Sequence, residues 1–314
     1  MSKPRLVIVG DLMLDVTALG TVSRLSPEAP VPILVNPTRR SALGGAGNTA
    51  NNVRHLGAIA ALVAARGDDE SGQVCACLLA ESGIEDQVII DRDVPTSTKT
   101  RFVAASHQIL RLDEERTGCS SSVEQAILTA YCELVGLVDS VVISDYGKGV
   151  VSPKVARAVI DEARKAGVSV VVDSKARDLS RFCGASVLTP NHLEATAATG
   201  RADPEQASEI LARQTGASVI VTLGPQGMLV REHGGALMRV ASQVHEVADV
   251  TGAGDTVTAA VAVALSEGAT VPEAARWATT AAAIAVERFG TYAVSREDVG
   301  SGSWATRRVS RVRT

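Results

Sequence analysis

The stretch Asp249-Val-Thr-Gly-Ala-Gly-Asp255-Thr runs directly into an apolar, Ala-rich segment that ends near Leu265. The composition after Asp255 reads as a helix, and the glycines before it read as the turn that opens that helix. Such a turn leaves backbone N–H groups unpaired at the positive end of the helix dipole. Gly252, Ala253 and Gly254 therefore form a candidate anion hole, with the Asp255 carboxylate beside it. A carboxylate there can take a proton from a hydroxyl while the hole steadies charge on a phosphoryl group. The pattern points to a small-molecule kinase with Asp255 as base.

Working outward, short β-branched runs alternate with helical patterns. Leu6–Val9, Val141–Ser144, Ser169–Val172, Ser186–Leu188 and Ser218–Thr222 read as buried strands. Helical segments are expected at Thr49–Leu56, Val123–Leu137, Pro153–Ala166 and Pro204–Thr215. This alternation predicts an α/β fold, a mainly parallel sheet with helices on both faces. Ligands in such sheets sit beyond the carboxyl ends of the strands, where Asp11, Asp145, Asp173, Asn191 and Gly224 fall.

Two stretches break the alternation. Thr21–Thr38 carries four prolines, and Thr98–Asp113 reads as a hairpin turning at Ser106-His107-Gln108. Together they predict a small antiparallel sheet outside the main layers. Such a sheet can act as a lid, and its apolar face is a candidate dimer contact.

The chain has 314 residues, 46% of them hydrophobic, which allows a sizeable core. A net charge of −4 gives no sign of a nucleic-acid partner. The basic tail Arg307-Arg308-Val-Ser-Arg311-Val-Arg313 reads as a solvated terminus. Five scattered cysteines, with no ligand spacing, fit a reducing compartment. Without a signal-peptide pattern or an apolar span of membrane length, the expectation is a cytoplasmic protein with no membrane partner.

Further motifs sit at strand ends. Gly44-Gly45-Ala-Gly47-Asn48 precedes a helical run, reading either as a tight turn and cap or as close backbone approach to a polyol, with Asn48 binding hydroxyls. Asp11 is either a sugar-hydroxyl acceptor or a turn former. Asn191-His-Leu-Glu194 starts a helix and can hold Mg²⁺ through water near phosphates. Thr222-Leu-Gly224-Pro-Gln-Gly227 offers backbone N–H groups to phosphate, or is an ordinary hairpin turn. Lys148, in Ser144-Asp145-Tyr-Gly-Lys148-Gly149, and Lys175, in Asp173-Ser-Lys175, are loop charges or phosphate ligands. Lys99 and Arg101 share one face of a hairpin strand and oppose Arg111, forming a cationic lid or a charged edge.

With these motifs in place, the chain resembles the ribokinase-like (PfkB) carbohydrate kinases over essentially its whole length. Gly44–Asn48 looks like the N-terminal glycine signature of that family, Asp249–Thr256 like its C-terminal signature, and Asn191–Glu194 like its magnesium and phosphate motif. The resemblance implies a three-layer sandwich over 1–314 with a lid at about 12–40 and 97–113. It implies ATP and Mg²⁺, and K⁺ near Asp249, Thr251 and the Arg288–Thr291 loop. Within the family, Gly10–Asp15, Ser23–Pro32, Thr98–Arg101, Ile109–Asp113 and Ser144–Gly149 are similar to kinases of heptose 7-phosphate. That likeness implies phosphorylation of the anomeric hydroxyl; the residues themselves place Asp11, Gly44, Gly45, Asn48, Lys99, Arg101, Arg111, Asp145 and Lys148 on the sugar side, and the lid sheet is the expected homodimer contact. A nucleotidyltransferase motif, His-x-Gly-His, does not occur in the sequence, so a stand-alone kinase is expected. Three positions depart from the heptose pattern: Ser174 in place of proline, Gly47 in place of alanine, and the non-aromatic Val16–Leu19. The alternatives are a kinase of another sugar or nucleoside, or a non-catalytic sugar-phosphate sensor. Asp255 speaks against the sensor, which needs no base.

Overall fold

The computed structural model describes residues 3–302 and residue 304, except 106 and 245. The basic tail 307–313 and Ser106 of the hairpin lie outside the described residues.

A nine-stranded sheet forms the centre. From one edge its strands are Leu237–Val240, Met228–Arg231, Ser218–Thr222, Val187–Leu188, Ser169–Ser174, Ser140–Asp145, Arg5–Gly10, Ile59–Val63 and Glu85–Asp86. The first two are antiparallel to their neighbours, and the remaining pairs are parallel. Strand alternation divides the core in two: Leu6 and Ile8 join one buried cluster, Val7 and Val9 the other. Helices Ala46–His55, Ala253–Ser266 and Val271–Val286 pack in the first cluster, and helices Ser121–Leu134, Pro153–Ala166 and Pro204–Thr215 in the second. The result is the expected three-layer α/β sandwich.

Local chemistry explains the element ends. The Ser152 and Asp203 side chains cap helices that have proline in the first turn, and Gly167 and Gly216 end those helices in left-handed conformation. The helix expected over 123–137 is Ser121–Leu134, tightened into a 3-10 turn at Val135–Leu137.

The second sheet has four strands, in the order Pro32–Gly45, Leu12–Leu25, Ser97–Ala104 and His107–Glu114. It is not wholly antiparallel, because Leu12–Leu25 runs parallel to Ser97–Ala104. The proline-rich stretch is accommodated simply: Pro32 and Pro37 lie on an edge strand, and Pro27 and Pro30 in the connecting loop. Alternation gives this sheet two unlike faces. One carries a row of Asp15, Lys99 and Asp113 and a row of Arg40, Thr17, Arg101 and Arg111. The other carries Ala18, Phe102 and Leu110 in register, with Leu110 58% and Leu112 49% exposed.

Candidate active site

Helix Ala253–Ser266 begins at Gly252, whose φ of 78° is left-handed. A side chain there would also collide with Asn48, because a Cβ would lie 2.7 Å from its Nδ2. Glycine thus lets this helix dock on helix Ala46–His55, and the docking completes the site. Asp255 is buried in the first turn. Asn48 Nδ2 donates to its Oδ2 at 2.7 Å, while Thr49 Oγ1 at 3.0 Å and the Tyr146 hydroxyl at 2.8 Å donate to Oδ1. Burial raises the Asp255 pKa, and these donors oppose that rise without cancelling it. The anion hole differs from expectation in one respect: the Ala253 N–H is taken by the Val250 carbonyl at 3.2 Å. The N–H groups of Gly252, Gly254 and Asp255 have no acceptor among the described residues.

The expected phosphate residues meet on one side of this turn. Lys175 Nζ donates to Asp173 Oδ1 at 3.3 Å and to Glu194 Oε1 at 2.6 Å. Burial alone would lower the Lys175 pKa, but the carboxylates of Asp173, Glu194 and Asp255 outweigh it and raise it. Burial pushes the Asp173 carboxyl up to about 7, against the pull of Lys175. Asn191 and Glu194 form a reciprocal capping box at 2.8 and 2.9 Å, and Asn191 bridges to Thr222 of the next strand. Among the described residues no group of three His, Cys, Asp or Glu side chains is arranged to hold a metal directly. Yet the buried Asp173 Oδ2 lacks a partner among them, and Glu194 adds a second carboxylate around the same ammonium. Hard oxygen donors of this kind fit Mg²⁺ held through water and nucleotide oxygens.

Beyond Gly254 lies a cavity of about 290 Å³, lined by Thr222, Gly224 and Gly227 and by apolar groups that include Val250, Ala282 and Ala283. The 222–227 segment is the hairpin turn of the two readings the sequence offered, and it also walls this cavity. Asp249 accepts from Thr251 N, Thr251 Oγ1 and Gly290 N at 2.9, 2.7 and 2.9 Å, joining the two segments expected around K⁺.

On the opposite side, Gly44 and Gly45 lie close to other chain segments, which is the packing that the tight-turn reading describes. A Cβ on Gly44 would sit 2.8 Å from Asp15 Oδ2, and one on Gly45 2.4 Å from the Asp11 carbonyl. Arg101 pairs with Asp15 at 2.8 Å, and Arg111 with Asp113 at 2.8 Å. Lys148 pairs with Glu115 at 2.6 Å. Lys99 is half-buried, and that burial lowers its pKa despite nearby Asp15.

Two expected sugar ligands have other partners. Asp11 accepts the backbone N–H groups of Tyr146, Lys148 and Val150 at 2.8, 3.0 and 2.9 Å, so it staples a loop. Asp145 accepts from Ser174 Oγ at 2.5 Å and from Gly147 N at 3.0 Å, and it pairs with the Arg181 guanidinium. A strand-end acid is favoured as a turn former for the same chemistry that suits sugar binding. Conversely, the sequence reading gave no role to Asp15, Arg40, Thr49 or Tyr146. The signal for Asp15 and Tyr146 was their place inside motifs already singled out.

Residues 3–298 match the family described as pfkB family carbohydrate kinase. The bifunctional protein HldE of Caulobacter sp. (strain K31) is 41% identical over 306 residues, which are 95% of this chain and 62% of that protein. The chain thus spans less than two thirds of the length of that relative. Phosphofructokinase-2 from Escherichia coli in complex with potassium superposes with a TM-score of 0.79 at 21% identity, covering 95% of this chain and 97% of that one. A ribokinase described as putative, from Agrobacterium tumefaciens, superposes at 0.77 with 22% identity and 99% coverage of both chains. The fold of these neighbours is the sandwich described above, and the sequence match extends over both ends of the site. The chain belongs to the pfkB family of carbohydrate kinases, phosphotransferases that act on a sugar hydroxyl.

Proposed function

We propose that this kinase transfers the γ-phosphoryl group of ATP to the anomeric hydroxyl of D-glycero-D-manno-heptose 7-phosphate, giving the 1,7-bisphosphate. The observation that carries the reading is the position of Asp255 between two unlike surfaces. An apolar cavity lies on one side and a cationic sheet face on the other. Asp255 takes the proton of the anomeric hydroxyl as that oxygen bonds to the γ-phosphorus. The bond to the β–γ bridging oxygen breaks, and ADP leaves with the electron pair. The open N–H groups of Gly252, Gly254 and Asp255 and the Lys175 ammonium steady the charge in transfer. Asn191 and Glu194 would hold Mg²⁺ through water, where it would supply charge neutralisation for the phosphates, and the segment around Asp249 and Thr251 would hold K⁺.

The substrate choice draws on charge. Arg101 and Arg111 lie directly opposite each other, and Arg40 continues their row across Thr17. Asp15 and Asp113 each balance one of these guanidinium groups, and with Arg40 and Lys99 the face still carries more positive than negative charge. A phosphate on the far end of the sugar matches that excess, with Lys148 beside it. The segments that resemble heptose 7-phosphate kinases also fall on this side of the site. The second sheet then serves as a lid over the sugar, and its exposed Leu110 and Leu112 face supports a homodimer. ATP use and five free cysteines support a cytoplasmic setting.

The test is ADP release over a panel of sugars and sugar phosphates. Turnover of heptose 7-phosphate, reduced about a thousandfold in Asp255→Asn with ATP binding retained, is the expected result. Turnover of fructose 6-phosphate or ribose with none on heptose 7-phosphate would overturn the substrate, and full activity in Asp255→Asn the mechanism.

A further inference from the structure

Tyr146 lies between the Gly45 turn, Lys99, Lys175 and Asp255. It follows strand Ser140–Asp145, and Asp11 pins its loop through the amides of Tyr146, Lys148 and Val150. Its ring lies against the Gly45 turn, where a Cβ would come within 3.5 Å of Cδ2. Two ammonium groups approach that ring, Lys99 at 5.7 Å and Lys175 at 5.2 Å from the centroid. Lys99 belongs to the sugar side and Lys175 to the phosphate side. The hydroxyl donates to Asp255 Oδ1.

An ionised carboxylate offers about four acceptor positions, two on each oxygen. Thr49 and Tyr146 both bond Oδ1, whereas Asn48 alone bonds Oδ2. The open position is on Oδ2. We propose that Tyr146 is a positioning residue for phosphoryl transfer. With Thr49 it fills Oδ1 and turns Asp255 so that the acceptor hydroxyl meets Oδ2, and its ring holds Lys99 and Lys175 on either side of the reacting groups. The inference rests on the kinase reading above and not on the identity of the sugar.

Burial, then the charges of Asp255 and Asp173, keeps the phenol pKa well above its usual value, so the hydroxyl remains a donor at working pH. The charged groups that bear on Asp255 and Tyr146 are Asp173, Lys175, Glu194 and Lys99. Tyr146→Phe removes only the hydroxyl. With heptose 7-phosphate, its kcat is expected to fall about tenfold while the ATP KM is unchanged. The acidic limb of its kcat–pH profile should move to higher pH, because the charged base has lost a donor. The same rise should appear in the ¹³C-carboxyl titration of Asp255, assigned with Asp255→Asn and read without substrate. Tyr146→Leu, which also loses the ring, should add a rise in acceptor KM. Melting curves identify any variant that has not folded, and in that case the titration of Tyr146→Phe at lower temperature decides.

A Tyr146→Phe protein with wild-type kcat and an unmoved Asp255 titration overturns the proposal. Absence of wild-type turnover on heptose 7-phosphate would instead overturn the substrate reading, with the titration still deciding the role of Tyr146.

Discussion

The two sides of the Gly252–Asp255 turn are built from different materials. The proposed sugar side is charged: Asp15, Lys99, Arg101, Arg111 and Lys148, most of them already in ion pairs. The proposed nucleotide side is made largely of glycines, alanines and valines whose backbone and methyl groups wall a cavity. The two sides therefore discriminate by different physics. One reads the charge and hydrogen bonding of its ligand, and the other reads shape and apolar area. Changes on one side should leave the affinity of the other nearly untouched.

Among changes confined to one side, the largest effect is expected at Arg101. Arg101→Ala removes a charged donor and leaves Asp15 without that partner, so kcat/KM for heptose 7-phosphate should fall about a hundredfold. The ATP KM should hold, and an equal rise in both KM values would break the contrast. On the other side, Ala283→Leu inserts bulk into the cavity wall. Its ATP KM should rise about tenfold, with the acceptor KM unchanged in a steady-state grid.

Asp173, beside Lys175 on the phosphate side, gives the smallest effect. Its folded pKa of about 7 is above the ordinary carboxylate value, so the fold favours the protonated form. That contribution is full at pH values below the ordinary carboxylate pKa and is lost as pH rises through about 7. Asp173→Asn should therefore melt about 2 °C above wild type at pH 8, and the gap should close toward pH 5. A constant gap in calorimetric scans across that range would show that Lys175 keeps Asp173 ionised throughout.

The sequence makes the nucleotide side far more legible than the sugar side. Gly252–Asp255, Asn191–Glu194 and Thr222–Gly227 are local signatures, because a turn or a capping box is written within a few neighbouring residues. The strands Ser218–Thr222 and the helices Pro153–Ala166 and Pro204–Thr215 likewise have the expected bounds, set by prolines and glycines at their ends. The sugar side depends on tertiary encounters. Asn48 and Thr49 reach Asp255 from the far end of the chain, and Tyr146 reaches it from the middle. Asp11 and Asp145 had the right residue type at the right strand ends, but nothing local distinguishes a carboxylate offered to solvent from one spent on backbone amides or on Arg181.

The parallel pairing of Leu12–Leu25 with Ser97–Ala104 bears on how the protein breathes. Met13 meets Ser97, so the chain between them includes helix Ala46–His55, strand Ile59–Val63 and helix Glu70–Glu81. The seam joins segments far apart in sequence, and much of its outer length has little apolar cover. The seam starts in the core at Leu12 and Leu14 and loses its apolar cover beyond Ala18, so its outer end belongs to the low end of the local stability scale. Amide exchange should therefore spread from His107–Glu114 inward while Arg5–Gly10 and Ser140–Asp145 stay protected. On the proposed function, the half that would choose the sugar can loosen at its rim without disturbing the half that would hold the phosphoryl donor.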